Sequence, residues 1–179
     1  MSGNLEVIIG PMFSGKSSEI LRKIRLYKKI NKRVLTVKPK KDNRYIADKI
    51  TTHNLDSYEC MPINELKDIQ NIIKDYDILV IDEGQFFTDL KVMVLFFINM
   101  YNINIIVAGL DGDFQRNPIG QILELIPHSD KCQKLTSLCN ICNDGTEAPF
   151  TYRKIKSEEQ ILIGGEESYI PVCRKHYIV

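Results

Sequence analysis

The chain has 179 residues, 44% of them hydrophobic and 26% charged, which is typical of one globular domain or of one domain with an appendage. Two independent large domains and wholesale disorder are excluded. Lys and Arg total 24 against 23 for Asp and Glu, so the net charge of +1 gives no overall field for binding nucleic acid. The N-terminus lacks a secretory signal pattern, and no apolar run is long enough to span a membrane. We therefore expect a cytoplasmic protein with no membrane or nucleic-acid partner.

The first 110 residues alternate between strand and helix patterns. A buried strand over 5–9 and a loop of small residues over 10–15 precede a helix from about Ser17, where apolar residues recur at helical spacing. The other predicted elements are strands over 33–37, 78–81 and 103–108, a helix capped by Asn64 that runs to Ile73, and a helix over 92–100. This alternation predicts an α/β fold with a mostly parallel sheet and flanking helices.

The pattern changes near Lys131, where cysteine, glycine and proline begin to interrupt every hydrophobic period. We therefore predict two units, an α/β domain over 1–130 and a small second domain over 131–179.

A phosphate-binding loop follows the first strand. The pattern G-x-x-x-x-G-K-[ST] is matched at every position, by Gly10, Pro11, Met12, Phe13, Ser14, Gly15, Lys16 and Ser17. The glycines let backbone amides surround phosphate oxygens, Lys16 adds a full positive charge, and the Ser17 hydroxyl can ligate Mg²⁺. A chance match is the alternative, but the required strand and helix flank the loop. The sequence thus predicts binding of ATP or GTP.

An acidic pair, Asp82 and Glu83, ends the strand over 78–81, at the edge where open α/β sheets bind ligands. Asp82 suits a role in holding Mg²⁺, and Glu83 could accept a proton from the group that attacks the γ-phosphate. An acidic cap on the next helix is the alternative. The pattern leaves open whether water attacks, as in an ATPase, or a substrate hydroxyl, as in a kinase.

Two C-x-x-[CH] knuckles lie in the C-terminal part. Their side chains form a Cys₃His set suited to structural Zn²⁺: Cys139, Cys142, Cys173 and His176. Free thiols are the alternative, because the 30 residues between the knuckles exceed usual zinc-ribbon spacings. Bound metal would help to fold a tail that has little core of its own. Cys60 and Cys132 have no partners in the sequence and are expected to be buried.

Six motifs, arranged along the chain in the family's order, resemble the type II thymidine kinase family over nearly the whole chain. They are the phosphate loop, the segment 82–87, the segment 110–116, the two knuckles, and the stretch 163–165 with Tyr169. The resemblance implies transfer of phosphate from ATP to thymidine or deoxyuridine, giving dTMP for pyrimidine deoxynucleotide salvage and DNA synthesis. It also implies a homotetramer, in which the helix from Val92 is a candidate interface, and feedback inhibition by dTTP.

The resemblance also assigns roles to single residues. Glu83 matches the general base, Lys16 and Arg44 match phosphate-facing cations, and Gly84 and Gln85 extend the nucleotide-binding set. The family holds thymine under a lasso between the knuckles, largely through main-chain hydrogen bonds. Lasso positions correspond to Thr151, Gln160, Ile161, Leu162, Ile163 and Gly164, with Tyr169 near the sugar; the apolar walls correspond to Met12, Phe86, Leu110 and Phe114.

Four residues depart from the family pattern. His176 replaces a frequent cysteine but remains a good zinc ligand. Asp113 replaces a common threonine, Ile119 a frequent aromatic residue, and Gln160 a frequent valine. We expect these three changes to alter the tightness of the base pocket and not the reaction.

Two other functions fit some of the motifs. One is a phosphate-loop ATPase whose zinc knuckle binds nucleic acid or protein, which the near-neutral charge disfavours. The other is a nucleoside monophosphate kinase with a zinc-stabilised lid. That kinase would need several arginines for a second phosphate, and outside the basic stretch 22–41 the chain offers Arg44, Arg116, Arg153 and Arg174.

Overall fold

The computed structural model describes residues 3–41, 49–51, 57–157, 159–162 and 164–177. Within these ranges, two α-helices and twelve strands form. In chain order they are β1 (Leu5–Ile9), α1 (Lys16–Lys29), β2 (Val34–Pro39), β3 (Lys49–Thr51), β4 (Ser57–Glu59), β5 (Met61–Ile63), β6 (Ile78–Ile81), α2 (Leu90–Tyr101), β7 (Asn104–Gly109), β8 (Lys131–Lys134), β9 (Ser137–Leu138), β10 (Glu147–Ala148), β11 (Phe150–Arg153) and β12 (Tyr169–Val172). Short 3₁₀ turns cover Leu66–Ile69, Ile73–Asp75, Gly84–Phe86 and Ile122–His128.

Six strands form one parallel sheet in the order β5-β2-β6-β7-β1-β8. Strands β9 to β12 form two antiparallel pairs beyond it, and β3 pairs with β4. The predicted α/β fold with a mostly parallel sheet and flanking helices is therefore confirmed.

Hydrophobic layers cover both faces of the sheet. Ile78 and Val80 of β6 pack on the side of α1, whereas Leu79 and Ile81 pack on the side of α2. Phe97 of α2 is fully buried in this second layer. Successive side chains of a strand point to opposite faces, so the apolar run of β6 supplies both layers.

The edge strand β8 is fixed to β1 by charge as well as by backbone pairing. Glu6 of β1 lies 2.9 Å from the ammonium of Lys23 and 2.9 Å from that of Lys131. Burial raises the pKa of Glu6, but hydrogen bonds from Lys131 and Lys23 outweigh it and hold that pKa below its ordinary value. The carboxylate thus stays ionised between α1 and β8.

The predicted domain boundary at residue 130 falls ahead of a strand of the main sheet. Strand β8 lies within the range predicted for the second domain, yet it pairs in parallel with β1. The separate small core beyond it contains Cys139, Ala148, Val172 and Cys173. The division into two units stays a prediction, and one strand of the main sheet lies within the range predicted for the second unit.

The helix predicted from Asn64 to Ile73 is wrong. Two separate 3₁₀ turns occupy this stretch, and Glu65, not Asn64, caps the first. The carboxylate of Asp89 accepts hydrogen bonds from the amides of Leu66 and Lys67 at 3.1 and 3.0 Å. This contact from a distant part of the chain fixes a tight turn despite the helical spacing of the apolar residues.

The strand predicted over 33–37 instead runs from Val34 to Pro39. Proline at the last position of a strand leaves no interior ladder hydrogen bond unmade. The other predicted strands and the helix over 92–100 are confirmed to within two residues at each end, and α1 begins one residue before the predicted start.

Candidate active site

The phosphate loop surrounds the ammonium group of Lys16. Its Nζ donates to the carbonyl oxygens of Pro11 at 2.6 Å and Gly10 at 3.1 Å, and the side chain is largely buried. Gly15 has a φ of 80°, which lets the loop turn into α1. A cation and the N-terminus of α1 are therefore both held at this loop, and each of them favours an anion.

The acidic pair ends β6 at the same edge of the sheet. Asp82 is buried, and its Oδ1 accepts a hydrogen bond from the amide of Glu83 at 3.0 Å. Glu83 has a φ of 52°, a left-handed conformation that is uncommon for a residue with a Cβ. Such strain persists only where the surroundings fix it, and it is frequent at functional sites.

Gln85 connects Glu83 to the end of β7. Its Nε2 donates to Oε2 of Glu83 at 2.6 Å, and its Oε1 accepts from the amide of Leu110 at 3.0 Å. Gly109 and Gly120 make room for it, because a Cβ at either position would lie 2.2 Å or less from Gln85 atoms. The assignment of Gln85 to the nucleotide, which rests on the resemblance, stays a prediction; in the structure its side chain contacts the carboxylate of Glu83.

A cavity of about 380 Å³ opens beside this network, a size within the range of small-molecule sites. Ten of the residues expected to contact the nucleoside line it: Met12, Phe86, Leu110, Phe114, Thr151, Gln160, Ile161, Leu162, Gly164 and Tyr169. Ile163 and Arg44, which were expected at the base and at the phosphates, lie outside the described residues. Phe86 lines the cavity, while its neighbour Phe87 is buried in the core.

Arg153 organises one side of the cavity, and no sequence motif pointed to it. The guanidinium lies 3.7 Å from the ring centroid of Phe114 and donates to the carbonyl oxygens of Ser157, Glu159 and Gln160 at 3.2, 2.6 and 3.0 Å. Tyr169 holds the same stretch of chain at a further point, because its hydroxyl donates to the Leu162 carbonyl at 2.7 Å. The segment between β11 and β12 is thus held by side chains that themselves line the cavity.

The four knuckle side chains form one cluster, with all ligand atoms within 4.8 Å of one another. The Sγ atoms of Cys142 and Cys173 are 3.8 Å apart, and Nδ1 of His176 lies 3.2 to 3.6 Å from the three sulfurs. Thiolates about 2.3 Å from a tetrahedral zinc ion would be about 3.8 Å apart, so this donor set could hold Zn²⁺.

The ionisation of Cys139 also suits a metal ligand. Burial raises the pKa of its thiol, but hydrogen bonds from the backbone amides of Cys142 and Cys173 outweigh burial and hold that pKa below its ordinary value. Burial raises the pKa of the neighbouring Cys142 thiol instead. The thiolate is the form that binds metal.

Strands β9 to β12 and the Cys₃His cluster are here called the cysteine unit. Its last residues contact the cavity. The hydroxyl of Tyr177 donates to the carbonyl oxygen of Phe114, and the guanidinium of Arg116 lies 4.3 Å from the Tyr177 ring centroid. At the other side, the amide of Met12 in the phosphate loop donates to Oγ1 of Thr151 at 2.9 Å. Both walls of the cavity are therefore joined to this unit.

The two remaining cysteines differ from each other. Cys60 is buried as expected, but the expected burial of Cys132 is wrong, because β8 is the outer strand of the sheet and Cys132 is exposed. No helix within the described ranges is both long and apolar enough to cross a membrane.

Fold and site together define a class: a parallel-sheet nucleotide-binding protein with a phosphate loop and a Cys₃His cluster that could bind zinc. Comparison with known proteins narrows this class, because the family model described as thymidine kinase matches residues 3–177. The chain belongs to the thymidine kinase family, and it is a kinase.

Curated relatives agree with this assignment. The chain is 42% identical over 176 residues to the thymidine kinase of vaccinia virus strain Western Reserve, covering 98% of this chain and 97% of the relative. It is 39% identical over 183 residues to thymidine kinase 1 of Dictyostelium discoideum, covering 99% of this chain and 78% of the relative. Among solved structures, the replication initiator DnaA bound to AMPPCP and single-stranded DNA is 16% identical with a TM-score of 0.47, over 74% of this chain and 40% of that chain, a similarity too low to support an argument.

Proposed function

We propose that the protein transfers the γ-phosphate of ATP to the 5′-hydroxyl of thymidine, or of deoxyuridine, giving dTMP or dUMP for DNA synthesis. One observation carries the proposal. Met12 belongs to the phosphate loop and also lines the 380 Å³ cavity, while Gln85 lines the same cavity and holds Glu83. A phosphate site, a carboxylate and a nucleoside-sized cavity are thereby adjacent.

The phosphate side of the reaction is assigned to the loop and to the end of β6. Lys16 and the backbone amides of the loop bind the β- and γ-phosphates, and they favour the charge that develops during transfer. Ser17 and Asp82 would hold Mg²⁺, which neutralises phosphate charge when bound. Arg44 is proposed as a further phosphate-facing cation on the basis of the family resemblance.

Glu83 is proposed as the general base that accepts the proton of the 5′-hydroxyl. The support is its place after β6, its left-handed backbone and the donor from Gln85, which together fix the direction of its carboxylate. Fixing a base in one orientation reduces the entropy lost on reaching the transition state.

The thymine base is proposed to lie between apolar walls and to be read by main-chain groups of the segment between β11 and β12. The ring of Phe114 is held by Arg153 on one face, and Phe86, Leu110 and Ile119 line the rest of the base site. Hydrogen-bonding groups at the base edge would disfavour cytosine, because a mismatched edge leaves buried groups unpaired.

A panel of unmodified nucleosides with ATP and Mg²⁺ tests this function by ADP release. Thymidine and deoxyuridine should stimulate release strongly, and deoxycytidine about 100-fold less at equal concentration, since the mismatch at the base edge costs about 2–3 kcal/mol. ADP release that DNA stimulates, or that is equally fast without any nucleoside, would contradict the proposal and favour an ATPase. Stimulation by dTMP in place of thymidine would indicate a monophosphate kinase.

Replacing Gln85 with Leu should lower kcat about 100-fold and change the ATP KM little, because the carboxylate of Glu83 loses the donor that orients it. The same loss should move the acid limb of the rate profile to higher pH, since a donated hydrogen bond favours the charged carboxylate. Steady-state kinetics over a pH series measures both effects. The exposed Gln70, changed to Leu in parallel, controls for the substitution itself; equal kcat in the two variants would contradict the role of Gln85.

Further proposals complete the assignment. Cys139, Cys142, Cys173 and His176 hold a structural Zn²⁺, and the unit beyond β8 acts as the lasso domain that closes over the nucleoside. A cytoplasmic homotetramer inhibited by dTTP follows from the family resemblance. Val92 and Met100 of α2 are 64% and 62% exposed, as apolar residues of an interface would be in a single chain.

A further inference from the structure

One side-chain hydrogen bond joins the two sides of the cavity. Nε2 of Gln160 donates to Oδ2 of Asp113 at 2.9 Å, across 47 positions of the chain. Asp113 lies in the loop after β7, Gln160 lies between β11 and β12, and both line the cavity. The bond therefore closes one edge of the cavity.

The acceptor, Asp113, is rigid. Its side chain is buried, and Oδ1 accepts from the amides of Gln115 and Asn117 at 2.8 and 2.9 Å, while its own amide donates to the Asn117 carbonyl at 2.9 Å. These bonds close a tight turn around the carboxylate. Its Oδ2 accepts from Gln160 at 2.9 Å and, more weakly, from Nδ2 of Asn117 at 3.5 Å. An ionised acceptor makes the bond to Gln160 stronger than one between neutral groups.

The donor residue is held at a second point. The carbonyl oxygen of Gln160 accepts from Nη2 of Arg153 at 3.0 Å, and the guanidinium of Arg153 lies on the Phe114 ring. Gln160 is nevertheless exposed, and its Nε2 lies 3.5 Å from the Pro118 carbonyl as a weaker second contact. The bond to Asp113 is thus at the rim, where it can open and close without disturbing the core.

From this arrangement we propose that Asp113 and Gln160 form a latch that holds residues 159–162 closed over the nucleoside. The proposal rests on the proposed function. It concerns the affinity for the nucleoside and not the transfer step.

Swapping the carboxylate and the side-chain amide between positions 113 and 160 tests the latch. Gln160→Glu places two carboxylates against each other, so the KM of thymidine should rise about tenfold, while kcat and the ATP KM stay within about twofold. Asp113→Asn combined with Gln160→Glu restores an amide opposite a carboxylate, and should return the thymidine KM to within about threefold of wild type. The exposed Gln70, changed to Glu, provides a matched control on another part of the surface.

Hydrogen exchange on the nucleoside-free protein tests the latch without any reaction. Gln160→Glu should speed amide exchange between β11 and β12, and the double variant should restore the wild-type rate. An unchanged thymidine KM and exchange rate in Gln160→Glu, or a double variant no better than the single one, would overturn the proposal. Wild-type protein that does not phosphorylate thymidine would instead refute the proposed function, and the exchange rates would still decide on the latch.

Discussion

Glu83→Gln should abolish thymidine phosphorylation while leaving ATP binding close to wild type. Glutamine has nearly the same size and can still accept the hydrogen bond from Gln85, so the left-handed backbone and the loop around it should persist. It cannot take up a proton from the 5′-hydroxyl. General bases contribute about 10²–10⁴-fold to rates, so kcat should fall by at least about 100-fold.

Calorimetric titration with ATP and Mg²⁺ separates binding from chemistry in this variant, and a coupled assay of ADP release gives kcat. Glu124→Gln is the matched control, because that carboxylate is 53% exposed and, within the described residues, is paired only with the partly exposed Lys91. A surface ion pair of this kind contributes little to stability. A kcat within tenfold of wild type for Glu83→Gln would refute the base assignment, and lost ATP binding would show that Glu83 acts on the nucleotide.

Elements whose structure depends on neighbouring residues could be predicted from the sequence. Strands β1 and β6 have the predicted bounds, because each is an unbroken apolar run that ends in residues favouring a turn. The stretch 64–73 could not be predicted in this way. Its apolar spacing is helical, but the carboxylate of Asp89, more than 20 positions away, accepts hydrogen bonds from the amides of its first turn.

The position of Cys132 shows a similar limit. Whether a strand is buried depends on its place in the sheet, and the order that puts β8 at the edge is set by pairing with β1. Residues 131–134 carry no apolar run that would mark either outcome. Lysine at both ends, Lys131 and Lys134, is the sign of an edge strand that this stretch offers.

In the candidate site, too, local motifs could be predicted and contacts between distant residues could not. The spacing within each motif predicts the phosphate loop and the pair of ligands in each knuckle. The structure then brings the two knuckles into one cluster. The contacts of Gln85 with Leu110 and of Tyr177 with Phe114 join residues 25 and 63 positions apart. No local pattern encodes such contacts, and Arg153 was missed for the same reason.

Cys142→Ser should release the proposed zinc ion and weaken thymidine binding together. The buried core of the cysteine unit consists of four small or medium side chains, Cys139, Ala148, Val172 and Cys173, too few to fold it alone. Binding of structural zinc supplies about 10–16 kcal/mol in small domains, so loss of one ligand removes much of what orders this unit.

Loss of zinc should also disturb the cavity. The Tyr177 hydroxyl donates to the Phe114 carbonyl, and Thr151 accepts from the amide of Met12 in the phosphate loop. We expect metal content by atomic emission to fall from about one zinc per chain to well below it, and the thymidine KM to rise at least about tenfold. Cys132→Ser is the matched control, since Cys132 is exposed on β8 and stands apart from the cluster. Equal zinc content and equal KM in the two variants would show that Cys142 is not a ligand, whereas lost zinc with an unchanged KM would show that the cysteine unit does not position the nucleoside.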